Sequence, residues 1–189
     1  MALVTQVDTG RVLREPEEIS AFLATHGIWY RRFEGFEPLD PEASEDQILA
    51  AFAEPIDKLK AEGGYTTADV IDVDASTPGL SEMLARFSEE HTHDEDEVRF
   101  IVGGRGIFHI HPRQKPVFRI EVRAGDMINV PKGTRHWFDL CEDSAICAIR
   151  LFQDRSGWTP HYTGSGEAAR HEPLCFGPGF LPPRPGRTT

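Results

Sequence analysis

The sequence predicts a mainly β protein, an antiparallel sandwich or barrel of short strands with a few helices packed outside it. Two observations carry this. From about residue 91 to residue 152, short runs rich in valine, isoleucine and phenylalanine alternate with glycine and proline turns, as in closed or two-layered antiparallel sheets. Ahead of residue 91 the apolar residues recur mostly at helical spacing. At 189 residues the chain is long enough to bury its own core without staples. We take residues 1–176 as one domain, with a mixed α/β part over 1–90 and the sheet part over 91–152, and 177–189 as an irregular tail.

Taken in order, residues 2–7 read as a strand. Residues 17–26 read as a short helix, with Ile19, Phe22 and Leu23 on one side and Gly27 ending it, and 28–33 as a second strand. The best helical pattern spans 41–62. Ile48, Leu49, Phe52, Ile56 and Leu59 recur at helical spacing, Asp40 can cap ahead of Pro41, and Gly63-Gly64 closes it. Pro55 implies a break or kink there, because it lacks an N–H and crowds the preceding turn. Residues 78–90 form another helix candidate, with Thr77 as cap and Leu80, Met83, Leu84 and Phe87 as its apolar stripe. The strands expected after it are 98–102, 107–111, 117–122, 127–130, 135–140 and 145–152. Beyond Phe176 the Gly-Pro-Gly and Pro-Pro-Arg-Pro-Gly-Arg runs have little to bury.

A formal net charge of −11 argues against nucleic acid or an anionic membrane as the main partner. No stretch approaches the ~20 apolar residues of a membrane span. The three cysteines, Cys141, Cys147 and Cys175, are odd in number and unclustered, so they read as free thiols in a reducing compartment rather than a disulfide framework. The first residues lack the basic start and apolar run of a signal peptide. The expectation is a cytoplasmic protein, and nothing demands more than a monomer.

The chemistry concentrates in residues 91–97, His-Thr-His-Asp-Glu-Asp-Glu, and in His136 about forty residues on. Alternate residues on a strand point to one face, so His91, His93 and Glu97 share a parity that can aim them at one point. Three imidazoles and a carboxylate form a borderline donor set suited to iron, nickel, manganese or zinc. Buried without an ion, such groups would be costly. Gly104 stands seven residues after Glu97. Ahead of His136 stand Gly125, then Pro131 after five residues, then Gly133.

These two segments resemble the metal-binding motifs of the cupin superfamily, G-x5-H-x-H-x3,4-E-x6-G and G-x5-P-x-G-x2-H-x3-N. Ala85 replaces the first glycine and Leu140 the closing asparagine, and no ligand position is touched. The wording around the ligands, His91-Thr92-His93 with Glu97-Val98-Arg99-Phe100 and Gly133 through Asp139, resembles the acireductone dioxygenases of methionine salvage. The likeness is dense over residues 80–152 and looser elsewhere.

The resemblance implies a cupin-type jelly-roll β-barrel with a few peripheral helices. It also implies one Fe(II) or Ni(II) per chain, held by His91, His93, Glu97 and His136. The implied reaction cleaves 1,2-dihydroxy-3-keto-5-methylthiopentene with dioxygen, giving 2-keto-4-methylthiobutyrate and formate with iron, or methylthiopropionate, formate and carbon monoxide with nickel. By the same resemblance Asp96 is a candidate proton acceptor. Arg99 shares the ligands' parity and suits stabilising an enolate oxygen; the plainer alternative is a surface salt bridge. Phe87, Trp137 and Phe138 are candidates to wall a pocket for an apolar tail, or else core packing. His109 and His111 repeat the His-x-His pattern, but Lys115 stands where a carboxylate would be needed, so an outward polar face is the better account. His26, His161 and His171 carry no pattern. The alternatives are another cupin metalloenzyme, such as a different dioxygenase, a decarboxylase or an isomerase, and a non-catalytic metal- or ligand-binding cupin.

Overall fold

The computed structural model describes residues 1–34, 40, 43–154 and 159–175. The expected tail and the start of the helix expected at Pro41 lie outside the described residues. In the first half β1 (Leu3–Gln6), β2 (Val12–Leu13), α1 (Pro16–Ala24) and β3 (Tyr30–Arg32) precede α2 (Glu45–Ala51) and α3 (Ala53–Gly63). They are followed by β4 (Thr67–Val73) and α4 (Leu80–Ala85). The second half is strands: β5 (His91–Thr92), β6 (Glu97–Ile110), β7 (Phe118–Arg123), β8 (Asp126–Val130), β9 (His136–Leu140), β10 (Ile146–Phe152) and β11 (His161–Tyr162).

Every pairing is antiparallel. One sheet runs β11-β5-β9-β6-β7-β1-β2 and the other β3-β8-β6-β10-β4, with β6 common to both. This is the two-sheet antiparallel arrangement expected of the cupin type. The 14-residue β6 joins the two segments that the sequence had suggested were separate strands. A bulge makes this workable. Ile101 pairs with Ala148 and Gly103 with Cys147, leaving Val102 as the extra residue, and the shift flips the strand's parity. Ile101 before the bulge and Phe108 and Ile110 after it all join the cluster between the sheets. Gly104 serves the bulge with φ +63°, and a Cβ there would lie 2.1 Å from the Ala145 carbonyl oxygen.

The opposite parity of the second sheet faces the helices. Val98, Phe100 and Val102 of β6, with Ile149 and Leu151 of β10, pack against Ile48, Phe52, Ile56 and Leu59. The helical break comes at Phe52, not at Pro55. Proline at 55 cannot donate to the Ala51 carbonyl, so it sits in the first turn of α3, where that donor is not needed. Ser44 rather than Asp40 caps α2, in a reciprocal box with Gln47. Likewise α4 is shorter than expected and starts at Leu80, with Gly79 at its N-cap position, while Thr77 accepts a hydrogen bond from the Asp74 N–H instead of capping.

The cysteine reading is corrected. Cys141 and Cys175 form a disulfide, with a Cα–Cα distance of 5.7 Å. The pair lies 34 residues apart, so local spacing carries no sign of it; the returning C-terminal segment brings Cys175 back to the end of β9. The inference of a reducing compartment loses that premise. Cys147 is a free thiol whose pKa is pushed up to about 12 by burial and the neighbouring Asp72, which makes it a poor nucleophile. Among the described residues no helix is long and apolar enough to cross a membrane.

Candidate metal centre

His91 lies on β5, directly opposite His136 on β9. His93 follows two residues after His91, and Glu97 opens β6. All four are buried. His91, His93 and His136 each offer one nitrogen within 4.8 Å of the others. The Glu97 Oε2 lies 2.8 Å from Nε2 of His136 and 3.5 Å from Nε2 of His93.

Backbone carbonyls set the tautomers. Nδ1 of His91 faces the Glu89 carbonyl at 2.7 Å, Nδ1 of His136 the Thr134 carbonyl at 2.8 Å, and Nδ1 of His93 the Thr159 carbonyl at 3.3 Å. A carbonyl only accepts, so each Nδ1 carries the proton. Each neutral ring then turns its Nε2 lone pair toward the other two rings and toward the Glu97 carboxylate. Acceptors facing acceptors in a buried space require a cation between them. Protons are disfavoured in that role. Burial, with the repulsion a protonated His136 would add, lowers the pKa of His91 to about 4, and burial also lowers that of His93. The donor set therefore fits a metal ion, and carbonyl anchoring of Nδ1 is the usual outer support for histidine ligands. Burial alone would raise the pKa of Glu97. The Arg99 guanidinium, then His136 and His93, outweigh this and hold the carboxyl well below its usual range.

A cavity of about 630 Å³, mouth included, opens beside this nest. Its lining combines the polar groups of His91, Glu97, His136, Arg99 and Arg150 with the apolar side chains of Ile71, Val73, Met83, Leu84, Phe87 and Phe138. Arg99 is largely buried, its side chain 13% exposed, rather than a surface group. Its Nη2 donates to Oε1 of Glu97 at 2.9 Å, and burial brings its pKa down to about 10 against the pull of that carboxylate. Sequence reasoning missed Arg150, which stands directly across from Arg99 on β10 and is clamped by Asp69 through contacts of 2.7 and 2.8 Å. Its signal was present: an arginine inside the apolar run Ile-Cys-Ala-Ile-Arg-Leu-Phe.

The other candidate residues are placed as follows. Phe87 and Phe138 line the cavity. Trp137 does not, because neighbours on a strand face opposite ways. It is buried on the far face of the sheet, its ring stacked on His109 with centroids 4.7 Å apart and planes at 10°. His109 is correspondingly not on an outward polar face: it is fully buried, with Nε2 3.2 Å from Asp139. His111 contacts the Glu90 carboxylate. Asp96 stands outside the cavity lining, and one of its oxygens accepts the Lys132 backbone N–H at 3.0 Å. The C-terminal segment, missed as a contributor, brings the Thr159 carbonyl to His93 and places Tyr162 opposite His91.

Cation-seeking donors lining a ligand-sized cavity in this fold mark a cupin-type metalloprotein. Comparison with known proteins narrows this. The family described as ARD/ARD′ matches residues 15–160. The acireductone dioxygenase of Picosynechococcus sp. is 43% identical over 165 residues, covering 87% of this chain and 94% of its own length. That of Pseudomonas syringae pv. syringae is 44% identical over 160 residues, covering 85% and 88%. The fold is similar to that of an acireductone dioxygenase from Bacillus anthracis with a cadmium ion in its active center. The TM-score is 0.78 at 37% identity, covering 86% of this chain and 98% of that one. The chain belongs to the acireductone dioxygenase (ARD/ARD′) family.

Proposed function

We propose that this chain is a metal-dependent dioxygenase of methionine salvage that cleaves acireductone, 1,2-dihydroxy-3-keto-5-methylthiopentene, with dioxygen. In this reading the iron form yields 2-keto-4-methylthiobutyrate and formate, and the nickel form methylthiopropionate, formate and carbon monoxide, with one ion per chain. The observation that supports it most is the convergence of three carbonyl-anchored imidazoles on a buried carboxylate, in a cavity otherwise lined largely by apolar side chains. Relatives named acireductone dioxygenase support the choice of substrate.

His91, His93, His136 and Glu97 would hold the ion, which when bound supplies charge stabilisation and orientation for an anionic enediol. The protein's own groups do the rest. The Arg99 and Arg150 guanidinia line the same cavity and would offer donors to the substrate's oxygens. Met83, Leu84, Phe87 and Phe138 give a methylthio tail an apolar wall and exclude water from the reacting end. Asp96 stands outside the lining, where it accepts the Lys132 backbone N–H.

The test is reconstitution of apoprotein with Fe(II) or Ni(II) under anaerobic conditions, followed by acireductone and oxygen. Oxygen uptake with keto acid from the iron form and carbon monoxide from the nickel form is expected. Absence of uptake with both metals at full occupancy would refute the substrate assignment.

A further inference from the structure

We propose that a second cleft, on the far side of the β8–β9 loop from the metal centre, binds a phosphate-class oxyanion. Three distant segments build it: His26 after α1, His111 and Arg113 in the β6–β7 connection, and Lys132, Gly133, Thr134 and Arg135 in the β8–β9 loop. It encloses about 510 Å³, mouth included, and shares no lining residue with the metal cavity. Among the described residues no aspartate or glutamate lines it, although the chain as a whole carries a net charge of −11. A local positive potential here is therefore placed, not a by-product of composition.

The cations are also uncommitted, unlike several others in this protein. Arg11, Arg31, Arg32, Arg99, Arg105, Arg123 and Arg150 each pair with a carboxylate. Arg113, Lys132 and Arg135 enter no ion pair among the described residues. Arg135 is held in place by an Nη2 hydrogen bond to the Pro112 carbonyl at 3.1 Å, yet its Nε is buried and has no hydrogen-bond partner among the described residues. Arg135 is thus a guanidinium fixed at the wall of the cleft without a carboxylate partner, a disposition suited to an oxyanion. Three carboxylates approach without entering: Glu90 contacts His111, Glu167 lies within electrostatic reach of His111, and Asp96 accepts the Lys132 backbone N–H.

Two guanidinia and an ammonium around one small cleft match a compact, multiply charged oxyanion better than a single carboxylate. The opposite face of the same loop serves the histidines. The Gly133 N–H donates to the His93 carbonyl at 2.9 Å, and the Thr134 carbonyl accepts from His136. An anion in the cleft thus rests against the loop that orients two of the candidate ligands.

The test is calorimetric titration of metal-loaded protein with inorganic phosphate and with glycerol phosphate, each at constant ionic strength set by chloride. Saturable binding with a Kd of about 1 mM or tighter is expected. Tighter binding of the ester would assign the site to the head group of a larger ligand, and equal binding to free phosphate. Arg113→Ala and Lys132→Ala should each weaken binding by about tenfold or more while metal content and melting temperature stay at the parent values. Lys132→Gln, which keeps the loop's backbone contacts, should show the same loss. That loss separates the cleft from phosphate on the metal itself. Absence of saturable binding, or binding unchanged in the Arg113→Ala/Lys132→Ala double variant, would overturn the proposal.

Discussion

Arg99→Met separates the roles of the most constrained charge in the site. Arg99 and Glu97 are an ion pair with side-chain exposures of 13% and 5%. Removing one partner of such a pair leaves an uncompensated buried charge, at a cost of roughly 3–5 kcal/mol. His136 and His93 still approach the carboxylate, so the lower end, about 3 kcal/mol, is the better figure. For a chain of this size that corresponds to a fall of roughly 6–12 °C in the melting temperature of the apoprotein. The metal-loaded protein should fall less, because a bound ion supplies positive charge to Glu97. The stabilisation conferred by metal should therefore be larger in the variant than in the parent. Activity should move the other way. A hydrogen bond to a charged group is worth about 1.5–3 kcal/mol, so kcat/KM for acireductone should drop about ten- to a hundredfold with metal content unchanged. The assays are thermal unfolding of both forms, elemental analysis and oxygen uptake. An apoprotein melting within about 2 °C of the parent, together with kcat/KM within twofold, would refute the account.

His91→Ala, His93→Ala, Glu97→Ala or His136→Ala should each remove most bound metal, a larger effect than the roughly ten- to a hundredfold of outer contacts. His109→Ala should keep the metal, and metal retained by His136→Ala would sink the ligand set. Acid should destabilise the apoprotein. The folded-state pKa of His91 is about 4 against 6.5 unfolded, so the unfolded chain binds more protons between these values. Stability present above about pH 6.5 is then lost as pH falls toward 4, by an amount on the order of 3 kcal/mol. His93 and Glu97 shift in the same direction, and a midpoint of denaturation independent of pH across that window would contradict the burial argument. Unreduced, denatured protein should titrate one thiol, Cys147, and three would show the disulfide absent. Cys175→Ser should cost up to about 4 kcal/mol by the loop-entropy argument, read as a lower melting temperature.

Much of the strand pattern was legible because buried strands are dense in valine, isoleucine and phenylalanine. The misses have specific causes. β4 carries Asp69 and Asp72 among its apolar residues and is mostly half-buried, so it shows no clean alternation. β5 and β11 are two residues each, too short for any periodicity. Residues 103–106 looked like a turn because Gly103, Gly104 and Gly106 break the apolar run, yet glycine there serves a bulge inside one strand. In the site, side chains were readable and backbone was not. Nothing in the spacing of His91, His93 and His136 announces that the carbonyls of Glu89, Thr159 and Thr134 fix their tautomers. Trp137 was avoidable: once His136 faces the cavity, strand alternation already turns Trp137 away and gives Phe138 the place. His109 was not, since the segment that covers its face returns from the far end of the chain, where His171 packs at 5.6 Å from the Trp137 ring.

The bulge in β6 explains how one strand serves both sheets and the site. Without it, Glu97, Arg99 and Ile101 would face the interior, and so would Ile107 and His109 further along, because all are odd-numbered. Instead Val102 is the extra residue, and beyond it Gly106, Phe108 and Ile110 turn inward. Phe108 thereby reaches the cavity that Glu97 and Arg99 open onto, and His109 is sent to the other face to stack on Trp137. The two His-x-His segments of the chain are thus distinguished by geometry as well as by the missing carboxylate. His91 and His93 reach a shared centre with Glu97 and His136, whereas His109 lies on the far face and His111 is engaged by Glu90. A strand needs only one inserted residue, and a glycine that tolerates φ +63°, to make the same alternating backbone present a ligand at one end and a pocket wall at the other.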